Sequence, residues 1–379
     1  MYTLRQYLLT LEEPYGLMRR LGEAELCRDD RGRIRYTTGN SAAVFRIRYD
    51  GRECALRCYF RPMRRLAEIY GDRYLPQELY LYTTPAEGTW VDAVLCDWVE
   101  GETLHAAVAR AAAEGNRPAL AALSEAFDRL ALALVADDRA HGDLKPENIV
   151  VTPAGTLVPI DLDASFLPRF AGEPSFEIGT AAYQHPARTA ADFDARIDDY
   201  PAALIATALH ALRLDPTLYA RYPGDGLLFA PQRIAADPAL HEVLALFERE
   251  GLAVQYRMAR LLLSPTLRLP DLPELLRCLT EERKLPTQPP ELFAEKGLWG
   301  YRCGEQRVIP PLYDEGFDFS EGLAAVRLGR TWHFIDPAGR TVLHCPQYEA
   351  VKPFQNGRAQ VVRAGRRMEI DRTGREFEY

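Results

Sequence analysis

The run His-Gly-Asp-Leu-Lys-Pro-Glu-Asn at 141–148 is followed, after a short turn-and-strand stretch, by Asp161 in Ile160-Asp-Leu-Asp163. These residues have the types a phosphoryl transfer requires. Asp143 can orient a hydroxyl and accept its proton, and Lys145 can neutralise charge that grows on a γ-phosphoryl group. Asn148 and Asp161 offer the hard oxygen ligands that Mg²⁺ prefers. Lysine usage singles out the same loop. Of 46 Lys and Arg only four are lysine (Lys145, Lys284, Lys296 and Lys352), so Lys145 stands alone before Lys284. A compact ammonium and a guanidinium fork are different reagents, so a lone lysine in this run reads as a chemical requirement.

The flanking sequence supplies elements to hold such a loop. Residues 1–33 open with helical spacing (Leu4, Tyr7, Leu8, Leu11) and read as a helical extension. From 34 to 98 short β-type runs follow one another, divided by Gly39-Asn40 and Asp50-Gly51, with one helical segment near 62–71. Helical patterns then dominate 99–283, at 103–114, 118–138 and 199–213 among others. A small strand-rich half before a larger helix-rich half predicts an α+β, two-lobed arrangement.

The proline-rich stretch 284–296 reads as a linker, and residues 297–379 repeat themselves. Trp299-Gly-Tyr leads to Tyr313-Asp-Glu and Phe319-Ser-Glu-Gly322; Trp332-His-Phe leads in the same order to Tyr348-Glu-Ala and Phe354-Gln-Asn-Gly357. A third copy starts near Met368 and stops short. Asp336 to Gly339 and Asp371 to Gly374 form like turns between β-type runs. Such units must stack to bury their aromatic residues.

Composition narrows the function classes. With 47% hydrophobic residues the chain can build real cores, and a net charge of -8 argues against a nucleic-acid backbone binder. Seven cysteines (27, 54, 58, 96, 278, 303, 345) contain no CxxC pair, and the histidines show no ligand spacing such as HExxH. No leader-like segment opens the chain, and no apolar run nears the ~20 residues that span a bilayer. The expectation is a cytoplasmic protein with no nucleic-acid or membrane partner.

The loop at 141–148 resembles the HRDLKPEN catalytic loop of eukaryotic-like (bacterial) serine/threonine protein kinases in seven of eight positions, and Asp161 falls where their DFG aspartate does. Glu177 to Arg188 is similar to their GTxxYxAPE segment, which puts Thr180 near Asp143 and Lys145. Ile197 to Leu204 is similar to the start of their buried helix, which makes Asp198 a brace for the loop. The resemblance implies a bilobal kinase-like fold with ATP and Mg²⁺ in the cleft and transfer to Ser or Thr hydroxyls of a protein substrate. It implies a catalytic pair Asp143 and Lys145, metal ligands Asn148 and Asp161, and a nucleotide set of Gly39, Val44, Ala55, Arg57, Glu68, Asp97, Val99 and Val150. Within that set Arg57 would clamp phosphates, with Glu68 as its acidic partner and Glu78 as the alternative. The Asp97 carbonyl and Val99 N–H would meet adenine, with Cys96 behind them.

The chain departs from the family at Arg57 (lysine in the family), Gly142 (arginine), Asp163 (glycine) and in a glycine loop reduced to Gly39. Those departures keep two alternatives open, a pseudokinase scaffold and a small-molecule phosphotransferase. Residues 297–379 resemble WG-type bacterial repeats, though His333 stands where the second unit should have glycine. That likeness implies an accessory domain for a protein partner, or a cap on the helical half.

Overall fold

Asp50 and Gly51 both take positive φ (50° and 71°), the tight turn that matches the twist of the strands on either side. That turn joins two strands of 8 residues each and fixes their register. The computed structural model describes every residue except 85, 282–285, 287 and 379. The chain divides into two units, Met1–Gly101 with Asp161–Ser165, and Glu102–Ile160 with Phe166–Tyr379. The mixed α/β class and the β-rich C-terminal region agree with the sequence reading.

In the first unit, β1 (Glu25–Leu26), β2 (Tyr36–Thr38), β3 (Ala42–Tyr49), β4 (Arg52–Tyr59), β5 (Tyr74–Tyr82) and β6 (Gly88–Asp97) form an antiparallel sheet of order β1-β3-β4-β6-β5, with β2 also on β3. Alternation along β3 and β4 sorts the side chains. Ala43, Phe45, Ile47, Cys54, Leu56 and Cys58 enter a buried core with Leu79, Leu81 and Ala93, while Val44, Arg46, Ala55 and Arg57 take the opposite face. Helix α1 (Leu4–Glu12) opens on a Thr3/Gln6 capping box and lays Tyr7 and Leu11 on that core. The Tyr7 hydroxyl donates to the Tyr59 carbonyl at 2.5 Å. Residues 1–33 are therefore more than a helical extension, because β1 is a strand of the same sheet. Helix α2 (Leu66–Tyr70) spans only 5 residues, half the expected 62–71.

In the second unit, β7 (Glu102–Thr103), β8 (Ile149–Val151) and β9 (Leu157–Pro159) form a small antiparallel sheet. The helices are α3 (Leu104–Ala113), α4 (Arg117–Ala136), α5 (Asp199–Leu214), α6 (Leu218–Arg221), α7 (Pro238–Arg249), α8 (Ala253–Leu261) and α9 (Leu272–Thr280). Helix α5 is the centre of the core, buried without a break from Asp199 to Leu212. No helix among the described residues is long and apolar enough to cross a membrane. The seven cysteines are free thiols.

Three sheets follow in the same unit: β10 (Glu291–Glu295), β11 (Leu298–Cys303) and β12 (Gln306–Tyr313); then β13 (Glu315–Gly316), β14 (Ala324–Leu328), β15 (Thr331–Ile335) and β16 (Thr341–Cys345); then β17 (Ala350–Val351), β18 (Arg358–Arg363), β19 (Arg366–Asp371) and β20 (Glu376–Phe377). The stretch expected as a linker thus contains β10, paired along its length with β11. Residues 284, 285 and 287 of that stretch lie outside the described residues. The sheets are out of phase with the sequence repeat, since the Trp332 strand is the third of four in its sheet. What reads as a truncated third copy is the closing half of the third sheet.

The repeated turns are alike in detail. Gly339 and Gly374 take positive φ, and the Asp336 and Asp371 carboxylates each accept backbone N–H groups two and four residues on. The first two repeat sheets also share the helices' core, with Tyr301, Ile309, Leu312 and Val326 in one apolar cluster with residues of α4 to α9. Arg257 donates to the Leu312 carbonyl at 2.6 Å. His333 is buried and its Nε2 donates to the Glu248 carbonyl at the end of α7, at 2.9 Å. The departure from Trp-Gly is thus a docking contact.

Candidate functional site

Each unit holds a group of polar side chains that includes residues singled out in the sequence. In the second unit the chain from Ala140 to Asn148 is pinned at both ends. Ala140 and Phe166 exchange backbone hydrogen bonds (3.1 and 2.9 Å), and the Ile160 N–H donates to the Asn148 carbonyl at 2.8 Å. Between these points Asp198, buried ahead of α5, accepts from the His141 N–H and, at 3.0 Å, from the Gly142 N–H. It makes no side-chain cap on its own helix. Gly142 has φ of 81°, a backbone that glycine adopts at least cost, which accounts for the missing arginine.

Three of the residues expected to carry chemistry, Asp143, Lys145 and Asn148, gather with Thr180 around one carboxylate, while the fourth, Asp161, belongs to the first unit. Asp143 Oδ1 accepts from the Thr180 N–H at 2.6 Å, and Oδ2 lies 3.0 Å from Lys145 Nζ. Lys145 also donates to Thr180 Oγ1 at 2.8 Å, and Asn148 Nδ2 donates to the Asp143 carbonyl at 3.0 Å. Burial by itself raises the Asp143 pKa. The Lys145 ammonium and the Thr180 N–H outweigh it and hold the carboxyl below its ordinary value. Gly179 was not singled out in the sequence, yet its position is strict: with φ of 82°, an added Cβ would lie 2.7 Å from the Gly142 carbonyl and 3.0 Å from Asp143 Oδ1. Val150 is buried in β8, paired with Val158.

In the first unit the β-sheet register gathers three residues of the set expected for a nucleotide, Val44, Ala55 and Arg57, on one face. Val44 pairs with Arg57, Ala55 with Cys96 and Arg57 with Val94, so these side chains lie together, opposite the core. Beyond β6, which ends at Asp97, the Val99 N–H has no hydrogen-bond partner among the described residues. Gly39 sits in the β2–β3 turn, where an added Cβ would make an ordinary contact with the Ala42 carbonyl, at 3.9 Å. Burial pushes the Cys96 thiol above its ordinary pKa, which leaves it unreactive.

Arg57 departs from the expected pairing. Glu68 is exposed on α2 and is not its partner, because the short helix carries that side chain into solvent. Glu78 is buried, but it accepts from the backbone N–H groups of Arg20 and Leu21, both at 2.8 Å. Arg57 Nη2 instead donates to Asp163 Oδ2 at 2.6 Å and to Asp161 Oδ1 at 2.7 Å. Tyr59 and Tyr70 donate their hydroxyls to Asp163 Oδ1 at 2.9 and 2.6 Å. Burial opposes the charge on Arg57, and the Asp163 and Asp161 carboxylates outweigh it, holding the pKa well above its ordinary value. Burial, then Asp163, keep both phenols protonated. The i, i+2 spacing of Arg57 and Tyr59 on β4 is the one sequence signal that could have found part of this group.

The donor types suit Mg²⁺. Within the second unit Asn148 commits its amide nitrogen to Asp143, which leaves the amide oxygen uncommitted, and within the first Asp161 is the more exposed of the two carboxylates on Arg57. No cluster of three or more His, Cys, Asp or Glu able to hold a metal occurs among the described residues.

Residues 304–332 and 334–365 match the family of WG containing repeat. No curated protein matches the chain. Residues 304–365 are therefore WG-type repeats.

Proposed function

We propose that the chain is an ATP-dependent protein kinase that transfers the γ-phosphoryl group to Ser or Thr hydroxyls, with its WG-type repeats recruiting a protein partner. The observation that carries this reading is the closed set Asp143, Lys145, Thr180 and Asn148, in which every polar group is aimed by another. Asp143 is held as a carboxylate and is a weak base. Its main work is to orient the acceptor hydroxyl, and it takes the proton late, as the phosphorus–oxygen bond forms. Lys145 offsets negative charge on the moving phosphoryl group. Thr180 keeps both side chains in place. Asn148 and Asp161 would supply oxygen ligands to Mg²⁺, whose charge would offset that of the phosphates. Val44, Ala55 and the Val99 N–H suit an adenine ring, and Arg57 suits its phosphates.

The test is phosphate transfer from labelled ATP to the chain itself and to a set of protein and metabolite acceptors, wild type against Asp143→Asn. Transfer that survives the substitution sinks the assignment, and transfer only to metabolites redirects it to small-molecule phosphotransfer.

One observation favours a second reading, a pseudokinase scaffold. Arg57 occupies an oxygen of the carboxylate expected to bind metal. A thermal shift with ATP, with and without Mg²⁺, separates the two, since a ligand of the native state raises its stability. Absence of a shift at millimolar nucleotide favours the scaffold.

A further inference from the structure

Asp163 stands at a position where the resembled motif has glycine, and nothing in the phosphoryl-transfer scheme uses it. Both of its oxygens are nevertheless engaged. Oδ1 accepts two phenolic hydroxyls and Oδ2 accepts from Arg57, with the Asp163 side chain only 5% exposed. Three of its roughly four acceptor positions are thus filled, and with the side chain buried against Arg57 its geometry is that of a partner to the guanidinium.

The guanidinium carries five N–H groups. Two, on Nη2, go to Asp161 and Asp163, and the one on Nε points at the Tyr59 hydroxyl at 3.4 Å. The two on Nη1 have no acceptor among the described residues.

We propose that Asp163 is the positioning acid of Arg57: anchored by Tyr59 and Tyr70, it fixes the guanidinium so that Nη1 is presented to the phosphate chain of a nucleotide. The inference rests on the kinase reading and deepens it. It accounts for three oddities together. The helix acid is dispensable because Asp163 arrives from another part of the chain, so α2 can be short and Glu68 can face solvent. The cation is arginine because a planar fork can bind two carboxylates through one nitrogen, a phenol through a second, and still offer a third. Asp161 and Asp163, two positions apart, divide the work, one exposed enough to exchange partners and the other locked.

The test uses the full chain and compares its affinities for Mg·ATP and for adenosine by titration calorimetry, with circular dichroism to confirm folding. The variants are Arg57→Gln, Asp163→Asn and the double substitution Tyr59→Phe with Tyr70→Phe. The ratio of ATP to adenosine affinity is expected to fall about tenfold or more in the first two, the size of one or two charge-assisted hydrogen bonds. In the double variant it falls about threefold, and adenosine binding is unchanged in all three.

A folded Asp163→Asn protein with the wild-type ratio overturns the proposal. Equal losses for ATP and adenosine also overturn it, since that pattern marks a merely structural acid. If Asp163→Asn does not fold, the double variant, which keeps the ion pair and the aromatic packing, decides on the same terms. Wild type that binds no ATP is a separate outcome: it removes the kinase reading and this inference together, before any variant is compared.

Discussion

Two acid–base pairs of the same formal type behave in opposite ways. Lys145 and Asp143, 3.0 Å apart, keep 22% and 19% of their side chains exposed, while Arg57 and Asp163, 2.6 Å apart, keep 10% and 5%. The first pair sits on a loop and shares its bonds with a threonine, so either partner can be exchanged at modest cost. The second is buried and braced by two tyrosines and a further carboxylate, with only Nη1 of the guanidinium left over. Removing either member leaves the other a buried charge that has lost its nearest counter-charge. Exposure suits a pair to chemistry, and burial with many partners suits it to holding something else still.

The largest expected effect tests the exposed pair. Asp143→Asn should lower phosphate transfer by about 10²–10⁴-fold with ATP binding intact, read by labelled transfer beside a thermal shift. Gly179→Ala should cost about 10²-fold in transfer, because the new methyl displaces the backbone that aims Asp143; unchanged kcat would show that the loop yields freely. Asp163→Asn should lower stability by about 3–5 kcal/mol, against about 1 kcal/mol for Lys145→Met, in chemical denaturation. Equal losses would erase the contrast between the pairs.

His333 supplies a control, a buried titratable group without a counter-charge. Burial, with His344 adding to it, pushes its pKa down to about 4. The unfolded chain then binds a proton that the native state refuses, so stability is full above about pH 6.5 and falls by about 3 kcal/mol toward pH 4. His333→Gln should flatten that slope in pH-dependent denaturation. The smallest effect is expected at Thr341, whose hydroxyl donates to the Gly251 carbonyl at 2.9 Å. Thr341→Val should cost about 1 kcal/mol by the same measurement.

Local spacing made much of the molecule legible. Asp50-Gly51 announced a hairpin, Asp-x-x-Gly announced the repeat turns, and the periodicities of 103–114, 118–138 and 199–213 gave α3, α4 and α5 within a few residues. The loop at 141–148 was legible for the same reason, since Asp143, Lys145 and Asn148 lie within one short stretch. The phase of the repeat sheets was not legible, because a sequence repeat fixes a period and leaves open which strand begins a sheet. The role of His333 was equally hidden, since it depends on a helix end far back along the chain, at Glu248.

Which chemical groups are present, and which short turns and helices form, could be read from residue order alone, because those features depend on neighbours a few positions apart. Which acid faces Arg57 could not. Glu68 lies on the very next helix and is passed over, while Asp163, far along the chain beyond β9, takes the place. The choice followed from the length of α2 and from two tyrosines able to saturate a buried carboxylate. That is a matter of desolvation and three-dimensional geometry, which separation along the chain does not encode.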